Sequence, residues 1–212
     1  MKVTTIPVGM LGTNCHILES VDKKCAVIDP GANAEKICDF IEKNNLVPEY
    51  ILLTHGHYDH IGAVKAVMRM FPKAKLYIGA RDAEMLENPE KSLAVIRGGD
   101  CANFIITGME TVKENDEIQL DELTIKVLDA PGHTKGGVVY TCMDALFAGD
   151  TLFRDSVGRT DLYGGNFAIL RRTLEKLAKL EQNYFVYTGH GENTTLDYER
   201  RNNQYMQAGF DI

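Results

Sequence analysis

Tyr50-Ile51-Leu52-Leu53-Thr54-His55-Gly56-His57-Tyr58-Asp59-His60 is the stretch on which the reading of this chain turns. Tyr50–Leu53 reads as a short apolar strand that runs straight into a polar cluster. His55, His57, Asp59 and His60 put four metal-ligating side chains into six residues. Packing alone is a poor explanation, because so many polar groups are costly to hold together without an ion. His55 and His57 are two apart, so from a non-helical loop both can turn towards one ion. Asp59 and His60 fall where the chain enters a helix, and that change of backbone direction lets them face a second ion. The helix N-terminus also favours the Asp59 carboxylate.

A cluster of this kind needs partners, and the rest of the chain supplies them at the ends of other strands. His133 lies in Pro131-Gly132-His133-Thr134, after the strand Leu123–Leu128. Asp150 follows the apolar strand Ala145–Ala148 and Gly149. His190 lies in Thr188-Gly189-His190-Gly191, after the strand Tyr184–Tyr187. Four separate strands therefore end in potential ligands, the pattern a rigid catalytic metal site requires. Five of the six histidines sit in these glycine-containing motifs; only His16 stands apart, and it reads as a hydrogen-bonded strand residue. Asp29, in Val27-Ile28-Asp29-Pro30-Gly31, also ends a strand. We read it as a carboxylate that orients a ligating histidine from behind, and not as a ligand. Arg154, Arg159 and Asp161 share a glycine-containing loop after Asp150, and Arg159 is the one of interest there.

The remaining elements follow from periodicity. Val3–Val8, Asn14–Glu19, Cys25–Ile28, Leu76–Ile78, Glu117–Leu120 and Val138–Thr141 read as further strands. Helical spacing marks Ala34 to Ile41, Ala63 to Phe71 and Phe167 to Leu177, the last with Gly164-Gly165-Asn166 as its start signal. Asp82 to Leu86 reads as a short helix and Thr195 to Ala208 as a final one. Residues 88–112, interrupted by Gly98-Gly99, read as a long loop of the kind that often serves as a lid. Consecutive strands with helices outside them imply stacked layers in one domain, residues 1–212.

Composition sets the outer limits. The chain has 212 residues, 23 Lys+Arg against 30 Asp+Glu, and a net charge of −7. That acidic balance, without a Lys/Arg-rich run, argues against a nucleic-acid partner. No apolar stretch approaches the roughly 20 residues of a membrane helix, and the N-terminus has no signal-peptide core, so the expected location is cytoplasmic. The five cysteines are scattered, without C-x-x-C, which argues against disulfides and cysteine-type zinc sites. No G-x-S-x-G elbow offers a serine nucleophile.

Taken together, His55-x-His57-x-Asp59-His60 with Asp29, His133, Asp150 and His190 resembles the motif set of the metallo-β-lactamase superfamily, over essentially the whole chain. The resemblance implies an α/β fold, a four-layer αβ/βα sandwich with a metal site at the sheet edge. By position, His55, His57 and His133 would hold one ion, Asp59, His60 and His190 a second, and Asp150 would bridge them. Within the superfamily, Gly149-Asp150-Thr151-Leu152-Phe153, Gly158-Arg159-Thr160-Asp161-Leu162 and Tyr198-Glu199-Arg200-Arg201-Asn202-Asn203 resemble short glyoxalase II-like hydrolases. That implies hydrolysis of S-lactoylglutathione or a related thioester by a metal-bridging hydroxide. Asp59 and Asp150 would be the catalytic carboxylates, and Arg159 would contact an anionic part of the substrate. Two divalent ions are implied, zinc foremost, with iron or manganese compatible with His/Asp ligation. The two-domain glyoxalase II enzymes carry a helical domain that helps bind glutathione. This sequence stops at Ile212 without one, and Gly191-Glu192-Asn193 stands where the family has a tyrosine, so weak glutathione binding is expected. The persulfide dioxygenase branch shares part of the Gly-Arg-Thr-Asp loop. Its mononuclear iron would need only His55, His133 and Asp150. Other hydrolases of the same fold, acting on lactones or phosphoesters, form a third alternative.

Overall fold

A computed structural model of the chain describes residues 1–97 and 101–207. The first half builds one six-stranded sheet from β1 (Lys2–Val8), β2 (Thr13–Glu19), β3 (Lys24–Ile28), β4 (Val47–Leu53), β5 (Lys75–Gly79) and β6 (Glu110–Val112), in that spatial order. The first three strands are antiparallel; β3 to β6 are parallel, so helices must carry the crossovers. These are α1 (Ala34–Lys43), the single turn α2 (Tyr58–Ile61), α3 (Val64–Met70) and α4 (Ala83–Glu87). The second half builds the other sheet, in the order β12-β11-β10-β9-β8-β7, from β7 (Glu117–Leu120), β8 (Leu123–Asp129), β9 (Val138–Cys142), β10 (Ala145–Gly149), β11 (Phe185–Thr188) and β12 (Thr194–Thr195). It is antiparallel except for the β10/β11 pair, which α5 (Phe167–Ala178) crosses. The last helix is α6 (Leu196–Asn202).

The two-residue period of the strands sorts their side chains into three cores. On β3, Cys25 and Val27 pack with Ile37 and Ile41 of α1 and Val64 and Val67 of α3. Ala26 and Ile28, from the same strand, pack instead with Ile125, Val127, Tyr140 and Phe147 of the opposite sheet. On β10, Phe147 joins that middle core, whereas Leu146 and Ala148 pack with Leu170, Leu174 and Leu177 of α5. Strands buried on both faces explain why β4 and β10 read as unbroken apolar runs. Helices, sheet, sheet and helices make the four layers of the αβ/βα sandwich. No disulfide joins any of the five cysteines, and Cys15, Cys25 and Cys142 are buried as small apolar groups.

Four element boundaries differ from the periodicity. β4 begins at Val47 and so includes Pro48, whose ring is tolerated at a register irregularity opposite Cys25 and Ala26. β6 lies inside the stretch read as loop. Three residues carry no periodicity, and this strand exists because β5 offers it a parallel edge, Tyr77 to Glu110. β12 is shorter still, at two residues. The last helix stops at Asn202, because the buried Asn203 turns inward. Its amide donates to Ser156 O at 3.0 Å and to Glu199 Oε2 at 2.8 Å, and its Oδ1 caps a short 3-10 turn, Gln204–Met206. Gly98-Gly99 and Ala208 lie outside the described residues.

Candidate metal centre

The expected ligands converge at one end of the two sheets. His55 and His57 leave the end of β4, Asp59 and His60 lie within the single turn α2, and His133 follows β8. Asp150 and His190 follow β10 and β11. Gly149 makes the turn into Asp150 at φ +49°, and a Cβ there would meet Thr54 Oγ1 at 2.2 Å, so only glycine fits between the sheets. Donor atoms of His55, His57 and His133 lie within 4.8 Å of one another, and so do those of Asp59, His60 and His190. His60 Nε2 is 3.3 Å from His190 Nε2, and His190 Nε2 is 3.2 Å from Asp59 Oδ2. Asp150 stands between the two groups. Its Oδ2 is 3.5 Å from His133 Nε2, and its Oδ1 is 3.3 Å from His60 Nε2 and 3.6 Å from His190 Nε2.

Surrounding hydrogen bonds decide which ring nitrogen faces inward. Thr54 has one hydroxyl proton and donates it to Asp29 Oδ2 at 2.6 Å. It must then accept from His55 Nδ1 at 3.1 Å, which leaves His55 Nε2 as a bare lone pair. His60 Nδ1 donates to Asp29 Oδ2 at 2.9 Å, His133 Nδ1 to Arg159 O at 2.7 Å and His190 Nδ1 to Leu11 O at 3.2 Å. All four rings thus turn Nε2 into the site, as a protein does when it orients metal ligands. His57 differs: its Nδ1 is 2.9 Å from His133 Nε2. Asp29 has the orienting geometry expected of it, with Oδ1 also accepting the Thr54 N–H at 2.8 Å.

Charge and burial divide the site. Burial, then neighbouring imidazoles, pushes His55 well below the usual histidine range and His57 down to about 3. His133 is lowered chiefly by burial as well. Burial also works against the charged form of His60, but the carboxylates of Asp59, Asp150 and Asp29 outweigh it and hold its pKa high. Asp59 and Asp150 resist the upward push of burial because His60 and His190 sit against them, and both are lowered. The unprotonated imidazoles of His55, His57 and His133, beside the ionised carboxylates of Asp59 and Asp150, suit a divalent cation. A sharper sign is that His55 Nε2, His57 Nε2 and Asp150 Oδ1 are buried without a hydrogen-bond partner. Such orphans are rare in folded proteins, and an ion ligated here would satisfy them.

Arg159 lies on the loop after Asp150. Its guanidinium makes two 2.7 Å bonds to Asp161 and is exposed, whereas its carbonyl, not its charge, touches the metal centre. Arg154 is likewise paired outward, with Glu192 at 2.8 Å. His16 is the strand residue expected, bonded to Thr5 Oγ1 and to Thr188 O. Two supporting residues escaped the sequence reading. Asn14 donates its amide to Thr188 O and to Gly191 O, both at 3.0 Å, bracketing His190. Thr13 donates to Asp59 Oδ2 at 3.0 Å. Neither has a sequence signal, since each is one polar residue in a strand.

Comparison with known proteins agrees with this geometry. Among curated relatives, the Bacillus subtilis protein named "Probable metallo-hydrolase YqgX" is 33% identical, over 100% of both chains. A hydroxyacylglutathione hydrolase (GloC) of Haemophilus influenzae is 31% identical, over 98% of this chain and 99% of its own. Among solved structures, the BLEG-1 B3 metallo-beta-lactamase superposes with a TM-score of 0.92 at 32% identity, covering 98% of this chain and 100% of its own. A protein crystallised in a di-iron-bound form gives 0.83 at 32% identity, covering 94% and 98%. The sequence profile of the metallo-beta-lactamase superfamily matches residues 8–190, the span from the end of β1 to the last histidine of the site, and with the sandwich and its converging ligands already in place this chain belongs to that superfamily as one of its metallo-hydrolases.

Proposed function

We propose that the chain is a thioester hydrolase of the glyoxalase II type, acting on S-lactoylglutathione or a related small thioester in the cytoplasm. The observation that carries this reading is the place of Asp150, within 3.6 Å of His133, His60 and His190 at once. A carboxylate so shared suits a two-ion site. His55, His57 and His133 would hold one divalent ion, Asp59, His60 and His190 the other, and Asp150 both. Bound there, the ions supply Lewis acidity and bring the pKa of a water towards neutrality. Zinc suffices for that chemistry, and iron or manganese fits the same donors.

The chain's own residues do the rest. Asp59, kept ionised and held through Oδ2 by the Thr13 hydroxyl, accepts a hydrogen bond from the attacking water and orients it. Asn14 and the Leu11 carbonyl fix the His190 side of the site, and Asp29 fixes His60. Full-length similarity to a hydroxyacylglutathione hydrolase supports the thioester as substrate. The Gly158-Arg159-Thr160-Asp161 loop, part of which the persulfide dioxygenase branch shares, supports a second reading, a mononuclear iron dioxygenase that would use His55, His133 and Asp150 alone. The test is zinc-reconstituted protein assayed without oxygen. Hydrolysis of S-lactoylglutathione is expected. Activity confined to the iron form, with oxygen consumed on glutathione persulfide, gives the second reading its place. Turnover of only a lactone, a phosphoester or a β-lactam moves the substrate while keeping the hydrolase.

A further inference from the structure

The ligands His55 and His57 sit on one segment, and His133 on another that comes from the opposite sheet. Between the two segments lies Asp82, the residue that begins α4, with no exposed surface. Its Oδ2 accepts from Thr134 Oγ1 at 2.6 Å, and its Oδ1 accepts from Gly136 N at 2.6 Å. The Gly56 N–H faces the same carboxylate and favours its ionised form. Gly56 lies between His55 and His57, and Thr134 adjoins His133. One buried carboxylate therefore ties together the two backbones that carry the first donor group.

Three features argue that this is more than an accident of packing. Among the described residues no cation pairs with Asp82, and burial pushes its pKa up to about 6. A buried carboxylate without a cation costs free energy that its hydrogen bonds only partly offset. The local demand is also specific. Thr134 Oγ1 and Gly136 N donate to it and Gly56 N–H faces it, which an acceptor-only group with two oxygens satisfies, whereas the NH2 of an asparagine would face a donor. Finally, both segments lie flush against the start of α4. A Cβ on Gly56 would come within 2.6 Å of Met85 Cβ, and one on Gly136 within 2.3 Å of Asp82 N.

We propose that Asp82 is a positioning residue for the first metal, setting the spacing of His55 and His57 against His133 through Gly56, Thr134 and Gly136. It touches neither ion nor substrate. The inference rests on the two-ion reading but not on the substrate. The experiment is zinc titration of the full-length protein against a chromophoric chelator, with metal-free melting temperature measured alongside. In Asp82→Asn one of the two ions is expected to bind ten- to a hundredfold more weakly, the range for partners of metal ligands, and the other unchanged. In a His57→Ala background, where the first ion is already lost, Asp82→Asn should have no further effect on zinc affinity. The cobalt-substituted protein should show an altered visible spectrum in Asp82→Asn. Thr134→Val removes one of the two hydrogen bonds and gives a milder version, about threefold, if Asp82→Asn fails to fold. A lower melting temperature with both zinc affinities intact would make Asp82 a fold residue and overturn the proposal, as would equal weakening of both ions. Wild-type protein that binds two zinc ions but hydrolyses no thioester leaves the proposal standing and defeats only the substrate assignment. Wild-type protein that binds no divalent ion defeats both.

Discussion

The two donor groups are built differently. His55, His57 and His133 are 2–4% exposed, carry no formal charge, and are kept unprotonated by burial and by one another. Asp59, His60 and His190 are a charged set. Their open side faces solvent, with the Asp59 and His190 side chains 14% and 25% exposed. The first group is thus a preformed cage of neutral nitrogen donors. The second is a carboxylate and two imidazoles whose geometry depends on hydrogen bonds from outside it: Thr13 to Asp59, Asp29 to His60, and Leu11 and Asn14 around His190. Burial sets the protonation of the first group, and charged partners set that of the second.

The strongest way to break this contrast is His57→Ala. It should take bound metal from two ions per chain to one and lower kcat for thioester hydrolysis about a thousandfold, roughly 4 kcal/mol of transition-state stabilisation. Metal analysis beside steady-state kinetics reads both. Loss of both ions together would mean the groups are one coupled unit.

Next in size is the support given by His16, whose Nε2 bonds to Thr188 O two residues before His190. Burial pushes its pKa from 6.5 down to about 4. The unfolded chain takes up a proton below pH 6.5 that the folded chain refuses until about pH 4. Stability present at neutral pH is therefore lost as the pH falls through that window, by about 3 kcal/mol. Denaturant unfolding of metal-free protein from pH 7 to 4 should show a shallower pH slope in His16→Gln than in wild type. Equal slopes would show that His16 titrates normally.

Asp29→Asn should weaken the second ion ten- to a hundredfold and leave the first nearly untouched, because His60 alone depends on it for ring orientation at 2.9 Å while His55 meets it only through Thr54. Chelator competition measures this, and equal weakening of both ions would erase the distinction between the groups. The smallest effect belongs to Arg159→Ala. The carbonyl that holds His133 survives this change, so metal content should stay at two. KM for a carboxylated thioester should rise about threefold with kcat little altered, less than 1 kcal/mol. An unchanged KM would leave the guanidinium as a partner of Asp161 and nothing more.

Much of this molecule is readable from its sequence. The six-residue cluster, and the strands that end at His133, Asp150 and His190, give the donor set, because ligand chemistry is a property of residue type and strand ends are marked by local patterning. The layers follow too, since β3, β4 and β10 announce their two-sided burial as apolar runs. The short strands β6 and β12 do not, because two or three residues become a strand only when a neighbouring edge is there to pair with. No helix among the described residues is long and apolar enough to cross a membrane, in line with the hydropathy of the chain.

What tertiary structure alone decided is which atom each residue uses. Asp82 meets Gly136 across 54 positions, and Asn14 meets Thr188 across 174. In the sequence both are single polar residues with nothing to distinguish them from caps or turns. Arg159 shows the same division: its charge is legible in the sequence, whereas the hydrogen bond from His133 to its backbone oxygen is not. The sequence by itself determined the set of donors, since that depends only on side-chain chemistry. The inward turn of each imidazole was decided by hydrogen bonds that exist only once distant segments pack, because a ring nitrogen has no preferred direction until its other nitrogen has found a partner.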